Sequence, residues 1–97
     1  MMAAPIQIPE VIIDENIFSQ KLILALKKIG LKVRFLGRGT LDEQIERYIE
    51  THNAVLVTGD HELYSILGWE KSLYLENWNS LRDKIIVIKA FLERFYK

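Results

Sequence analysis

Two uninterrupted apolar runs constrain this chain more than anything else in it. Val11-Ile12-Ile13 and Ala54-Val55-Leu56-Val57 are short, β-branched and flanked by polar residues. A run of that kind reads as a strand covered on both faces, not one with a wet side. Segments of helical period separate them. After Asp14-Glu15-Asn16, a cluster suited to a turn and a helix cap, Ile17, Phe18, Leu22, Leu24, Ala25, Leu26 and Ile29 recur at helix spacing. Gly30 follows the basic last turn Lys27-Lys28, as a helix stop should. Residues 31–36 alternate apolar with Lys and Arg, the period of a strand, and Gly37-Arg38-Gly39 makes a loop.

The second half repeats the pattern. Thr40-Leu41-Asp42-Glu43 has the form of a capping box. It opens a helix that carries Leu41, Ile45, Tyr48 and Ile49 on one stripe and ends at Asn53. Residues 58–62 read as a turn, 63–67 as a short helical segment and 72–75 as a weaker strand. Ser80-Leu81-Arg82-Asp83 is a second capping-box pattern, and the helix after it sets Leu81, Ile85, Ile88, Leu92 and Phe95 on one seam. The order is β-α-β-α-β-(α)-β-α. Alternation of this kind predicts an open α/β sheet of parallel strands, joined by right-handed crossovers and covered by helices on both sides. Ligands of such sheets bind at the carboxyl ends of the strands.

At 97 residues the chain makes one domain. Hydrophobic residues are 49% and the net charge is zero, which excludes both a disordered chain and a strongly basic nucleic-acid binder. The absence of Cys removes zinc-thiolate sites and thiol catalysis, and two His are too few for a poly-His metal site. The longest apolar runs fall far short of the ~20 residues a bilayer span requires, so no membrane association is expected. Met1 to Pro5 lacks a basic n-region and a long apolar core, so no secretion signal is expected either, and the expected compartment is the cytoplasm.

The charges are segregated. Residues 21–38 hold six basic side chains and no acid; residues 42–62 hold six acids and one Arg. In the expected sheet, Asp14 lies at the carboxyl end of the first strand and Asp60 just past that of the third. Asp42 lies in the first turn of the helix leading to the third strand, on the same edge. Glu62 can reach the same crevice, with Glu15 and Glu43 adjacent. Each acid alone has a plainer role: Asp14 as a cap, Asp42 as a partner of a helix dipole, Asp60 as a turn residue beside Gly59. Together, carboxylates converging on one edge repel unless a cation neutralises them, and all-oxygen ligation suits Mg²⁺ or Mn²⁺. Asp14, Asp42 and Asp60 are the expected metal ligands, with Glu62 the fourth acid of the catalytic set.

These residues also carry a resemblance. Val11-Ile12-Ile13-Asp14-Glu15-Asn16 resembles the opening "hydrophobic run, Asp, x, Asn" of PIN domains. Residues 55–63, ending Thr58-Gly59-Asp60-His61-Glu62-Leu63, resemble their "hydrophobic run, Thr, x, Asp, x, acid, hydrophobe" element. Gly39-Thr40-Leu41-Asp42-Glu43-Gln44-Ile45 is similar to the "Gly, x, x, Asp, Glu, x, Ile" of the short prokaryotic PIN-like family. The three motifs occur in order over about residues 10 to 76. Glu62 stands where that family usually has Asp, and Leu63 where it has Phe.

The resemblance implies a three-layer fold with a central, mostly parallel sheet of four to five strands. It implies a divalent-metal-dependent ribonuclease, in many cases a toxin paired with an antitoxin. It also implies that Thr58 and Asn16 orient the acidic set. Phosphodiester hydrolysis by metal-bound water needs no protein nucleophile, which suits a chain without Cys or a G-x-S-x-G elbow. His61 sits inside the motif, within reach of a leaving oxygen, although an exposed turn residue is the plainer reading. The alternative to an enzyme is a catalytically silent PIN-like module acting through a protein partner. A receiver-like phosphoacceptor ranks last, because Lys71 and Lys84 are poorly placed for it. The final helix is apolar on more than one face, which suits a homodimer or an antitoxin groove.

Overall fold

The computed structural model describes residues 8–76 and 79–95. The Met1 to Pro5 stretch considered above for a secretion signal lies outside them. Four parallel strands form one sheet: β1 (Glu10–Ile13), β2 (Val33–Arg34), β3 (Ala54–Thr58) and β4 (Ser72–Tyr74), in the order β2-β1-β3-β4. The α/β expectation holds, with every pairing parallel. The helices are α1 (Gln20–Lys28), α2 (Asp42–Thr51), α3 (His61–Leu67) and α4 (Leu81–Glu93).

Strand alternation divides the molecule into three layers. Val11, Ile13, Val33, Val55 and Val57 point to one face, where they pack with Leu22, Ile23 and Leu26 of α1 and Ile88 and Leu92 of α4. Ile12, Ala54 and Leu56 point to the other, against Ile45 and Ile49 of α2 and Leu63 of α3. All of β3 is buried, as its unbroken apolar sequence requires. Alternation also fixes the path of the chain. β1 leads through α1 on one face to an edge strand; β2 crosses over β1 through α2 on the other face; α3 continues outward on that face. Chain directions therefore diverge between β1 and β3, which makes the gap between their carboxyl ends the topological switch point of the sheet.

Several boundaries differ from those read off the sequence, each for a local reason. Asp14 caps only a single 3₁₀ turn, Glu15–Ile17, by accepting the Glu15 N–H; Ser19 caps α1 itself, its hydroxyl accepting from Leu22 N at 3.0 Å. Thr40 does not cap α2, because its hydroxyl donates to the Gly37 carbonyl at 2.8 Å. Leu41 takes the cap position, and the Gln44 side chain returns to its N–H at 3.0 Å. The alternating segment 31–36 shrinks to a two-residue β2, paired only with β1 at the sheet edge. α2 ends at Thr51, with His52 rather than Asn53 as its cap residue. Ser80 caps α4 as expected, accepting the Asp83 N–H at 3.1 Å. Among the described residues, no helix is long and apolar enough to cross a membrane.

Candidate functional site

The switch point brings four of the six expected site residues into one hydrogen-bonded unit. β1 and β3 pair in register up to Ile13 and Val57, so Asp14 and Thr58 leave the sheet side by side. Both continue the parity of Ile12 and Leu56, and both project to the α2–α3 face. Asp14 N–H donates to the Val57 carbonyl at 3.0 Å, extending the ladder by one bond. The Thr58 hydroxyl, fully buried, donates to Asp14 Oδ2 at 2.6 Å and accepts the Asp60 N–H at 3.0 Å. A short O–H···O⁻ bond of this kind is a strong one. It sets the rotamer of Asp14 and the backbone of Asp60 at once.

Asn16 locks the second loop to the first. Its Oδ1 accepts the Gly59 N–H at 3.0 Å. A Cβ on Gly59 would lie 3.1 Å from the Leu75 carbonyl oxygen, 3.2 Å from Ile17 Cγ2 and 3.4 Å from Asn16 Oδ1. A larger residue there would push the Leu75 carbonyl, Ile17 and Asn16 apart by a few tenths of an ångström, which glycine avoids. Asp60 then turns into α3: its Oδ1 accepts from Glu62 N at 2.9 Å and Leu63 N at 3.4 Å. The turn role considered for Asp60 is thus real, and it occupies one oxygen of the carboxylate.

The remaining acids stand farther out. Asp42 is exposed at the start of α2, where it lines a shallow depression with Glu15, Gly39, Thr40, Leu41 and Glu43. Glu15 connects that depression to the centre, since it neighbours Asp14 and its Oε2 accepts the Gly39 N–H at 3.1 Å. Glu62 is exposed on the first turn of α3. Glu62 is tied to Asp60 only through its backbone N–H, and among the described residues no hydrogen bond joins the Asp42 or Glu62 carboxylate to Asp14 or Asp60. Nor is any group of three or more Asp, Glu, His or Cys side chains among those residues arranged to hold a metal ion. Of the expected acids, the structure links Asp14 and Asp60 through Thr58, which donates to the Asp14 carboxylate and accepts the Asp60 backbone N–H. Two carboxylates suit Mg²⁺, which keeps several waters and is bound through one or two carboxylates plus substrate phosphate oxygens.

Tyr74 lies beside these residues, and the sequence alone did not place it there. It ends β4 in register with Thr58, and its ring stacks on His61 at 4.0 Å between centroids. Burial first, and then its bond to the Glu76 carboxylate, push the Tyr74 pKa up. The only sequence signal was a tyrosine at the carboxyl end of a strand; the partner lies 13 positions away and meets it only through β3–β4 pairing.

The fold and the site together define a doubly wound parallel α/β protein with an acidic pair at its switch point. The chain matches no family model, no curated protein and no solved structure.

Proposed function

We propose that this protein is a divalent-metal-dependent ribonuclease of the PIN-like type, acting in the cytoplasm on phosphodiester bonds of RNA. The observation that carries the reading is the Asp14–Thr58–Asp60 chain at the switch point, fastened by Asn16 on the Gly59 amide. It joins four of the residues that the PIN resemblance assigns to the site, from two separate motifs. Asp14 and Asp60 hold Mg²⁺ or Mn²⁺ in this reading. Thr58 fixes Asp14 by donating to its Oδ2, and Asn16 ties the two loops together through the Gly59 N–H. Asp42 and Glu62 form an outer acidic rim. When bound, the ion neutralises phosphate oxygens and lowers the pKa of a coordinated water. The carboxylates make phosphate binding conditional on the cation, because without it they repel the RNA backbone.

A second reading is a catalytically silent PIN-like module that works through a protein partner, such as the antitoxin of a toxin–antitoxin pair or a second copy of the chain. The exposed Ile86 and Val87 of α4 favour it. Incubation of the purified protein with end-labelled single-stranded RNA separates the two. The ribonuclease reading expects cleavage with Mn²⁺ or Mg²⁺ that EDTA abolishes and that Asp14→Asn reduces to background. Metal binding with a broad RNA panel left intact would select the silent module.

A further inference from the structure

Tyr74 and Thr58 are register partners on adjacent strands. Side chains of such a pair share one face of the sheet, about 4.8 Å apart along the hydrogen-bonding direction. The Tyr74 ring thus begins one strand away from the hydroxyl that anchors Asp14, on the same face and at the same edge. His61 follows Asp60 directly and lies on that ring with the planes 20° apart. Tyr64, one turn further along α3, meets Tyr74 at 6.3 Å and 56°. Tyr74 and Tyr64 are half-buried while His61 is exposed, so the imidazole is the solvent side of the stack.

Neither core cluster includes these three rings among the described residues. They pack α3 against β4 outside those two clusters. The other aromatic stack at this edge, Phe18 on Phe35 at 4.1 Å, differs on both counts. It packs against the α1–α4 core and lies on the opposite face from Asp14 and Thr58.

We infer that His61 and Tyr74 form a stacking subsite for one unpaired nucleobase of a single-stranded RNA whose backbone passes the Asp14–Asp60 pair. This deepens the ribonuclease reading and rests on it for the position of the backbone. A π-face accepts any base, so the subsite selects unpaired over paired RNA, not one sequence over another. Within a duplex, stacking on the neighbouring base pairs would cover the face that the imidazole needs. His61 acts here through its ring and not through a proton.

Binding of a fluorescent octanucleotide RNA, followed by anisotropy with Ca²⁺ as the cation, tests the inference. The same strand carrying a single abasic site, scanned along its length, gives the comparison. At one position the abasic strand should bind about tenfold more weakly to the wild type, the scale of one stacked base. His61→Ala should erase that difference, and His61→Phe should keep it. Tyr74→Ala should act like His61→Ala, with a thermal melt to verify folding; exposed His61 carries the conclusion if it does not fold. Equal binding of all strands by the wild type, or an unchanged preference in His61→Ala, overturns the subsite. Cleavage in Mn²⁺, run in parallel, separates the two ideas. Cleavage without base preference leaves the ribonuclease and removes the subsite. Base preference without cleavage keeps the subsite and moves the protein to a binding module. Neither binding nor cleavage removes both.

Discussion

In the proposed site Asp60 would do two jobs with one carboxylate, and its two oxygens separate them. Oδ1 caps α3 through Glu62 N and Leu63 N. Oδ2, which accepts none of these bonds, is the oxygen the proposal assigns to a cation. Asparagine caps about as well as aspartate, so Asp60→Asn removes the charge and keeps the turn. Without metal, the variant should stay within about 1 kcal/mol of the wild type or exceed it, as site substitutions that relieve like-charge repulsion do. With Mn²⁺ the two should part. A ligand that binds only the folded state at a hundred times its Kd stabilises by about 2.7 kcal/mol, and the variant should show much less of that gain. Thermal melts of both proteins in EDTA and in Mn²⁺ measure it. Equal metal-induced shifts would take Asp60 out of the donor set.

At the scale of elements, the opposite edge of the sheet holds a clamp with its own pH dependence. Glu10 of β1 accepts from the Tyr48 hydroxyl of α2 and from Arg34 Nε of β2 at 3.1 Å. Arg34 also lies over the Tyr48 ring, and His52 stacks on its other neighbourhood at 3.9 Å. Burial pushes the Glu10 pKa up, but the bonds from Tyr48 and Arg34 outweigh it and hold the carboxyl below its ordinary value. A carboxylate with a lowered folded pKa contributes stability that is present above its unfolded value, about 4.3, and lost as pH falls through the folded one. Tyr48→Phe should therefore move the acid-unfolding midpoint to higher pH, and Glu10→Gln should flatten this part of the profile. Circular dichroism across pH 2 to 7 reads both, and an unmoved midpoint in Tyr48→Phe would sink the clamp.

That clamp joins residues 10, 34 and 48, and nothing in their spacing announced it. The same limit explains what the sequence did and did not disclose. Strands β1 and β3 were legible because burial on both faces leaves an unmistakable apolar run. β2 was overread because its edge position needs only two paired residues, although the alternation runs over five, Leu31 to Phe35. The starts of α1 and α2 shifted because Asp14 is spent on a 3₁₀ turn and the Thr40 hydroxyl on the Gly37 carbonyl, and only the loop path decides such choices. At the site, Asp14 and Asp60 could be placed from strand ends alone. The bridging role of the Thr58 hydroxyl and the tie from Asn16 to Gly59 depend on β1–β3 register. The Tyr74 ring depends on β3–β4 register, which no local pattern encodes.

For the whole molecule, the apolar surface of the α1–α4 face is the open account. α4 turns Ile88 and Leu92 into the core, one helical turn apart. Ile86 is two residues before Ile88, about 200° around the helix, and is 53% exposed; Val87 is 39% exposed and Leu24 of neighbouring α1 is 56% exposed. A small domain hides a limited share of its surface, and an unburied helix side rich in aliphatic groups is where a second copy gains most. We expect the isolated protein to dimerise through α4. Light scattering coupled to gel filtration should give twice the monomer mass of 11.4 kDa. Ile86→Lys should return it to the monomer, because dimerisation would then bury an unpaired charge. In the monomer the same change is a surface substitution, worth within about 0.5 kcal/mol. The melting temperature should therefore rise with concentration for the wild type and stay constant for Ile86→Lys. A wild type that runs as a monomer, with a melting temperature independent of concentration, would show that this face is not self-complementary and leave it to a different protein partner.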